Sequence, residues 1–159
     1  MAFRSCLCYD ACMKYTVSKQ VDHNDAYYTV RWSPITKADR LAIRTSVPSM
    51  GGIAEMYWMD EHGKLNLYLL ARSYYGGLRA TLRAASDPLE EKDEKRRAML
   101  ERHDGKIYYR YTLVESQDDM ADIFYFFMSM RAPGRDFDHS GRYDRIFLNE
   151  VDEGKLITV

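Results

Sequence analysis

The sequence predicts an α+β domain, a small antiparallel or mixed sheet flanked by helices, and three observations predict it. Two aromatic and aliphatic runs of strand length, 53–60 and 65–72, are joined by the polar turn Glu61-His62-Gly63-Lys64, which is the pattern of a β-hairpin. Behind them Leu78, Leu82 and Ala85 recur at helical spacing, with Arg79 and Arg83 one turn apart. Further on, Ile107, Tyr109, Tyr111 and Leu113 share one face of a strand, and an apolar helical stretch follows it. From Gly52 the order is therefore strand, strand, helix, helix, strand, helix, with a strand and helix added at the N-terminal side.

Residues 1–26 read as an irregular N-terminal segment, and 27–159 as one domain with a core over 52–131 and a polar tail over 132–159. Lys14–Val17 and Tyr27–Trp32 are short β-prone runs separated by Asp22-His23-Asn24-Asp25. Either the two pair, or only the second is a strand. Pro34 ends the second run, and Thr36-x-x-Asp39 offers the start of a short helix that stops before Pro48. After the hairpin, Tyr74-Tyr75-Gly76-Gly77 breaks the extended pattern and the arginine helix begins.

Asp87-Pro88-Leu89-Glu90 has a capping aspartate, proline at the first helical position and glutamate at the third, which predicts a helix reaching His103. Its large apolar residues are few, so its charges read as intrahelical pairs on a solvated face. Asp104-Gly105 then turns the chain into the strand 106–114. Ser116-x-x-Asp119 caps the last helix, where Asp118 and Asp119 suit the positive end of the helix dipole. Met120, Ile123, Phe124, Phe127 and Met128 line one side of this helix, and Tyr125 and Phe126 make it apolar nearly all round, which predicts a place at the centre of the core.

At 159 residues, 46% hydrophobic and 30% charged, the chain is long enough for one domain with a real core. A net charge of −1 and a pI near 6.4 argue against non-specific coating of nucleic acid or a basic membrane-surface role, while leaving room for a local basic patch. Cys6, Cys8 and Cys12 are an odd number in one segment, which is not a disulfide framework, and no run of membrane length is present. A reducing cytoplasm is the expected setting. The three thiols could form three corners of a zinc site with His23 as a fourth, but the Cys-x-x-Cys pair that marks such sites is missing. The plainer expectation is an irregular segment, with Met13 an alternative start. S-palmitoylation would want a companion anchor, and none is visible.

The element order, with Gly52-Ile53 at the head of the first hairpin strand, Tyr68 in the second and Arg79 in the helix behind it, resembles the GIY-YIG nuclease domain over roughly residues 52–133. The resemblance implies a tyrosine that positions or deprotonates the attacking water, an arginine that steadies the phosphate, and a glutamate on the last helix that holds a divalent metal. Tyr68 and Arg79 match two of these parts. Ala54 replaces the first-motif tyrosine, and Tyr57, an odd number of residues away, lies on the other strand face unless a bulge intervenes. Leu70 falls on the second-motif glycine, and the metal-binding glutamate falls near Phe124 or Tyr125, with Asp122 one turn earlier. No equivalent is present of the asparagine that follows the last helix.

The expectation is thus a scaffold that has lost catalysis and works by binding nucleic acid or a protein partner, without a cofactor or a membrane. Its surface would be Arg72, Tyr74, Tyr75, Arg79 and Arg83 beside Tyr68. One alternative is a magnesium- or manganese-dependent endonuclease using Tyr57 or Tyr68, Arg79 and Asp122. Another is a structural or interaction protein without a pocket, its arginines paired with acids such as Glu55 and Asp60. In the tail, Arg131, Arg135, Arg142 and Arg145 are interleaved with Asp136, Asp138 and Asp144, so the charge nearly cancels and these residues, with His139, read as solvated. His62 and His103 have structural readings, and serine-hydrolase elbows, phosphate loops and Rossmann glycine patterns are absent.

Overall fold

The computed structural model describes residues 14–152 and the backbone of 156 and 157. The readings of Cys6, Cys8, Cys12 and Met13 lie outside the described residues. In chain order the elements are β1 (Val17–Asp22), β2 (Asp25–Arg31), β3 (Ile35–Lys37), α1 (Arg40–Ser46), β4 (Gly52–Met59) and β5 (Leu65–Ser73), then α2 (Gly77–Ser86), α3 (Glu94–Arg102), β6 (Ile107–Leu113), α4 (Gln117–Arg131), β7 (Arg145–Val151) and β8 (Leu156–Ile157). The fold is α+β, and from Gly52 the order is the expected strand, strand, helix, helix, strand, helix.

Two sheets carry the strands, one in the order β1-β2-β7 and one in the order β5-β4-β6-β3-β8. β4 is antiparallel to both β5 and β6, whereas β2 with β7 and β3 with β8 are parallel pairs. Backbone hydrogen bonds tie the sheets together where the chain passes between them: Ser33 N to Tyr111 O at 2.8 Å and Leu113 N to Tyr15 O at 2.8 Å.

The side-chain period of two sorts β4 between two cores. Ala54 and Met56 meet Leu78 and Leu82 of α2, Ile43 and Val47 at α1, and Leu100 of α3. Ile53, on the other face, meets Met120, Ile123 and Phe127 of α4 together with Tyr28, Val30 and Trp32. Helix α4 packs against both sheets through one side only: Met120, Asp122, Ile123 and Phe127 are buried while Met130 is 71% exposed, so it does not stand at the centre of the core that its nearly all-round apolar surface led one to expect. Glycine is required at two close approaches. A Cβ at Gly52 would stand 2.3 Å from Thr112 O, and one at Gly77, where φ is 78°, would stand 2.7 Å from the Ser49 carbonyl carbon.

Several expectations are corrected. The segment before residue 27 is not irregular throughout: β1 pairs with β2 along its whole length. Thr36 lies in β3, and the cap of α1 is Asp39, whose Oδ1 accepts from Leu41 N and Ala42 N at 2.9 and 3.0 Å. Asp87-Pro88-Leu89-Glu90 forms only a turn, because Leu89, 94% exposed, finds nothing to pack against. The helix begins six residues later than expected, at Glu94, capped by Asp93 through Arg96 N at 2.9 Å. The tail is not a solvated appendage, since β7 adds in parallel to β2 and buries its side of the sheet with Ile146 and Leu148.

Candidate functional site

Where β5 ends, Gly76 and Gly77 both take left-handed backbone, so the chain can turn within two residues into α2. Beside the turn is a cleft of about 490 Å³ lined by Arg72, Ser73, Tyr74, Tyr75, Thr81 and Gln117. Tyr75 is 83% exposed and Tyr74 40%, with their rings edge to face at 5.1 Å. The Arg72 guanidinium lies 4.5 Å from the Phe124 ring and has no carboxylate partner among the described residues. Ser73 and Thr81 give their hydroxyl protons to the Tyr75 and Gly77 carbonyls, which leaves oxygen lone pairs for a ligand. Helix α2 has neither a side-chain cap nor an acidic residue in its first turn, but its start packs against residues 49 and 50, where Leu78 N donates to Met50 O at 2.9 Å. The cleft thus combines one cation and two accessible aromatic rings.

The remaining expected residues do not join them. Arg79 donates through Nε to Val47 O at 2.7 Å and so fastens α2 to the end of α1. Arg83 stands 3.8 Å from Glu90 on the solvent side. Tyr68 is the extra residue of a β-bulge, since Met56 opposes Leu69 and Tyr57 opposes Leu67. The bulge turns Tyr68 and Leu69 onto the same core, where Tyr68 donates to Ala85 O at 3.2 Å and burial pushes its hydroxyl pKa up. Because the bulge falls on β5, β4 keeps its alternation and Tyr57 lies on the face opposite Ala54.

Asp122 is a fully buried residue of α4, on the other side of the sheet from Tyr68. It accepts from Tyr28 at 3.0 Å, from Ser140 N and Oγ at 2.8 Å each, and from Arg142 at 3.1 Å. Its oxygens are committed within the chain. Tyr68, Arg79 and Asp122 therefore do not open onto a common hollow, and no group of three or more His, Cys, Asp or Glu among the described residues is placed to hold a metal ion.

Two buried charge clusters are the polar features that sequence reasoning missed. In the first, Glu55 is fully buried and accepts from Tyr57, Arg131 and Arg110, the last at 2.7 Å through Nε. Burial alone would raise its pKa, but the two guanidiniums and the Tyr57 hydroxyl outweigh it and hold the carboxyl below the usual range. Arg110 continues to Glu150 and Asp152 and stacks 4.4 Å from the Trp32 ring. In the second, Asp119 takes Lys19 at 2.8 Å and Arg142 at 2.8 Å, next to the Asp122 contacts. The signal for both was available: Glu55 and Arg110 each interrupt an apolar strand, and Asp122 interrupts an apolar helix, so each needs a buried partner.

A further cleft of about 570 Å³ at the hairpin tip is walled by Trp58 stacked on His103 at 4.1 Å, but Arg102 and Lys106 there are balanced by Asp60 and Glu61. No helix among the described residues is long and apolar enough to cross a membrane. No curated protein and no solved structure matches the chain. A family model does match, over residues 16–158, and it spans both sheets, the four helices of the described residues and both charge clusters. The chain thus belongs to the family that this model describes as "Uncharacterised protein".

Proposed function

We propose that this chain is a binding protein that takes single-stranded nucleic acid in the cleft between β5, α2 and α4. Tyr74 and Tyr75 would stack on bases while Arg72 meets phosphate. The observation that carries the reading is the pair of exposed tyrosines at the mouth of a cleft whose cation has no acidic partner among the described residues. Stacking needs an accessible ring face, and Tyr75 supplies one.

Binding is favoured over cleavage because Tyr68, Arg79 and Asp122 are each engaged inside the fold and divided between two faces of one sheet. The order β4, β5, α2, α3, β6, α4 is what supports a scaffold similar to the GIY-YIG domain. A cytoplasmic setting belongs to the same proposal and rests on three cysteines clustered between positions 6 and 12.

The test is fluorescence anisotropy with a labelled ten-nucleotide oligothymidylate at several salt concentrations. Affinity should fall as salt rises. Tyr75→Ala should weaken binding by about 1–3 kcal/mol, and Arg72→Ala should reduce the salt slope by about one. Arg79→Ala should leave the affinity in place. Absence of binding at every salt concentration, or nicking of plasmid that depends on magnesium or manganese and on Arg79, would displace this reading.

A further inference from the structure

The outer face of the three-stranded sheet carries a second set of accessible rings. Alternation along β2 turns Ala26, Tyr28 and Val30 toward α4, so Tyr27, Thr29 and Arg31 face outward. In the parallel register Tyr27 lies beside Phe147 and Thr29 beside Asn149, while β1 sets Gln20 against Tyr27. The Tyr27 and Phe147 rings stack at 4.9 Å and 12°, yet remain 41% and 40% exposed. Arg145 stands 5.7 Å from the Phe147 ring, and Arg31 holds Ser18 Oγ at 3.2 Å.

Charge on this face is arranged to one side. Its two carboxylates, Asp22 and Asp25, stand at the hairpin end, with Asp25 held by Arg145 at 2.6 Å and Asp22 by His23 at 2.8 Å. The rows beyond them, from Gln20-Tyr27-Phe147 to Arg31, contain amides, the hydroxyls of Ser18 and Thr29, rings and a cation, and no carboxylate among the described residues. That set suits a ligand with flat rings, hydrogen-bonding edges and negative charge. It suits a second copy of the chain less well, because among the described residues its apolar part is only Tyr27, Phe147 and Val151, each about two-fifths exposed, whereas a stable interface buries about 800 Å² per partner around an apolar centre.

We propose that this sheet face is a second contact surface for single-stranded nucleic acid. Bases stack against the Tyr27–Phe147 column, Gln20 and Asn149 meet base edges, and Arg31 meets phosphate. The inference rests on the proposed function for its ligand class, and on different residues for its location.

Anisotropy with the same labelled oligothymidylate separates the two. Four proteins are compared: wild type, Tyr27→Ala/Phe147→Ala, Asn149→Glu, and Arg72→Ala/Tyr75→Ala. The double ring variant should weaken binding at least about tenfold. Asn149→Glu, at an exposed position that leaves the rings untouched, should weaken it as well, which guards against a folding artefact. Loss confined to Arg72→Ala/Tyr75→Ala overturns the sheet face and leaves the cleft reading standing. Loss confined to the two sheet-face variants upholds this inference and overturns the cleft. A wild type that binds nothing overturns both, and a doubled mass in sedimentation that Phe147→Ala abolishes assigns the face to a second copy instead.

Discussion

At the scale of single residues, the molecule depends on charges placed where water cannot reach. Glu55 has no exposed surface, and its carboxylate is held by Arg110, Arg131 and Tyr57. Glu55→Gln keeps the shape but leaves two guanidiniums facing a neutral amide, so it should destabilise the fold by about 3–5 kcal/mol, the usual consequence of breaking a buried pair. The pH dependence has a definite sign. The folded pKa lies below the ordinary 4.5, so the stabilisation is complete above that value and is lost as pH falls through the folded pKa. Urea unfolding between pH 7 and pH 3 should show wild-type stability falling in the acid range, with a shallower slope in Glu55→Gln. A variant within about 1 kcal/mol of wild type at pH 7 would mean that the ion pairs only offset their desolvation cost.

At the scale of elements, the turn into α2 fixes the geometry of the cleft, and its two glycines do different work. Gly76 and Gly77 both have positive φ, 83° and 78°, so alanine at either incurs about 1–2 kcal/mol of backbone cost. Only at Gly77 does the added carbon also meet backbone, 2.7 Å from the Ser49 carbonyl carbon, while at Gly76 it meets open space. Gly77→Ala should therefore lower the urea midpoint clearly more than Gly76→Ala, and equal losses would remove the packing part of the explanation. This region also shows what the sequence makes legible. The hairpin, the arginine helix, β6 and α4 follow from apolar periodicity, because each buries one face or nearly all of itself. The start of α3 does not, since a capping pattern says only where a helix can begin, and Leu89 had no core to reach. The bulge at Tyr68 is likewise invisible locally: it is a property of the pairing between strands, and it decides that the Tyr68 hydroxyl enters the core and not the cleft. Arg72, Tyr74 and Tyr75 were readable as a group because they are close in sequence, whereas Tyr27 and Phe147 meet only through a parallel pairing across most of the chain.

At the scale of the whole molecule, one side of α4 packs against both sheets, and the residues after it close the second sheet. Ser140 and Arg142 supply three of the hydrogen bonds to buried Asp122, and Arg142 also holds Asp119. β7 then covers Ile146 and Leu148 against the core that contains Tyr28 and Trp32. A chain ending at residue 138 would strip Asp122 of all its partners but Tyr28 and leave one edge of β2 without its parallel neighbour. An uncompensated buried carboxylate together with lost apolar burial exceeds what a marginally stable domain can absorb. The truncated chain should lose its cooperative urea transition and the near-ultraviolet circular dichroism of packed aromatic residues. The buried environment of Trp32, 1% exposed in the intact fold, should open to solvent and red-shift its emission. If the truncated protein unfolds at the same urea concentration as the full chain with an unchanged slope, then residues 139–159 rest on the fold without supporting it, and Asp119 and Asp122 are held by Lys19 and Tyr28 alone.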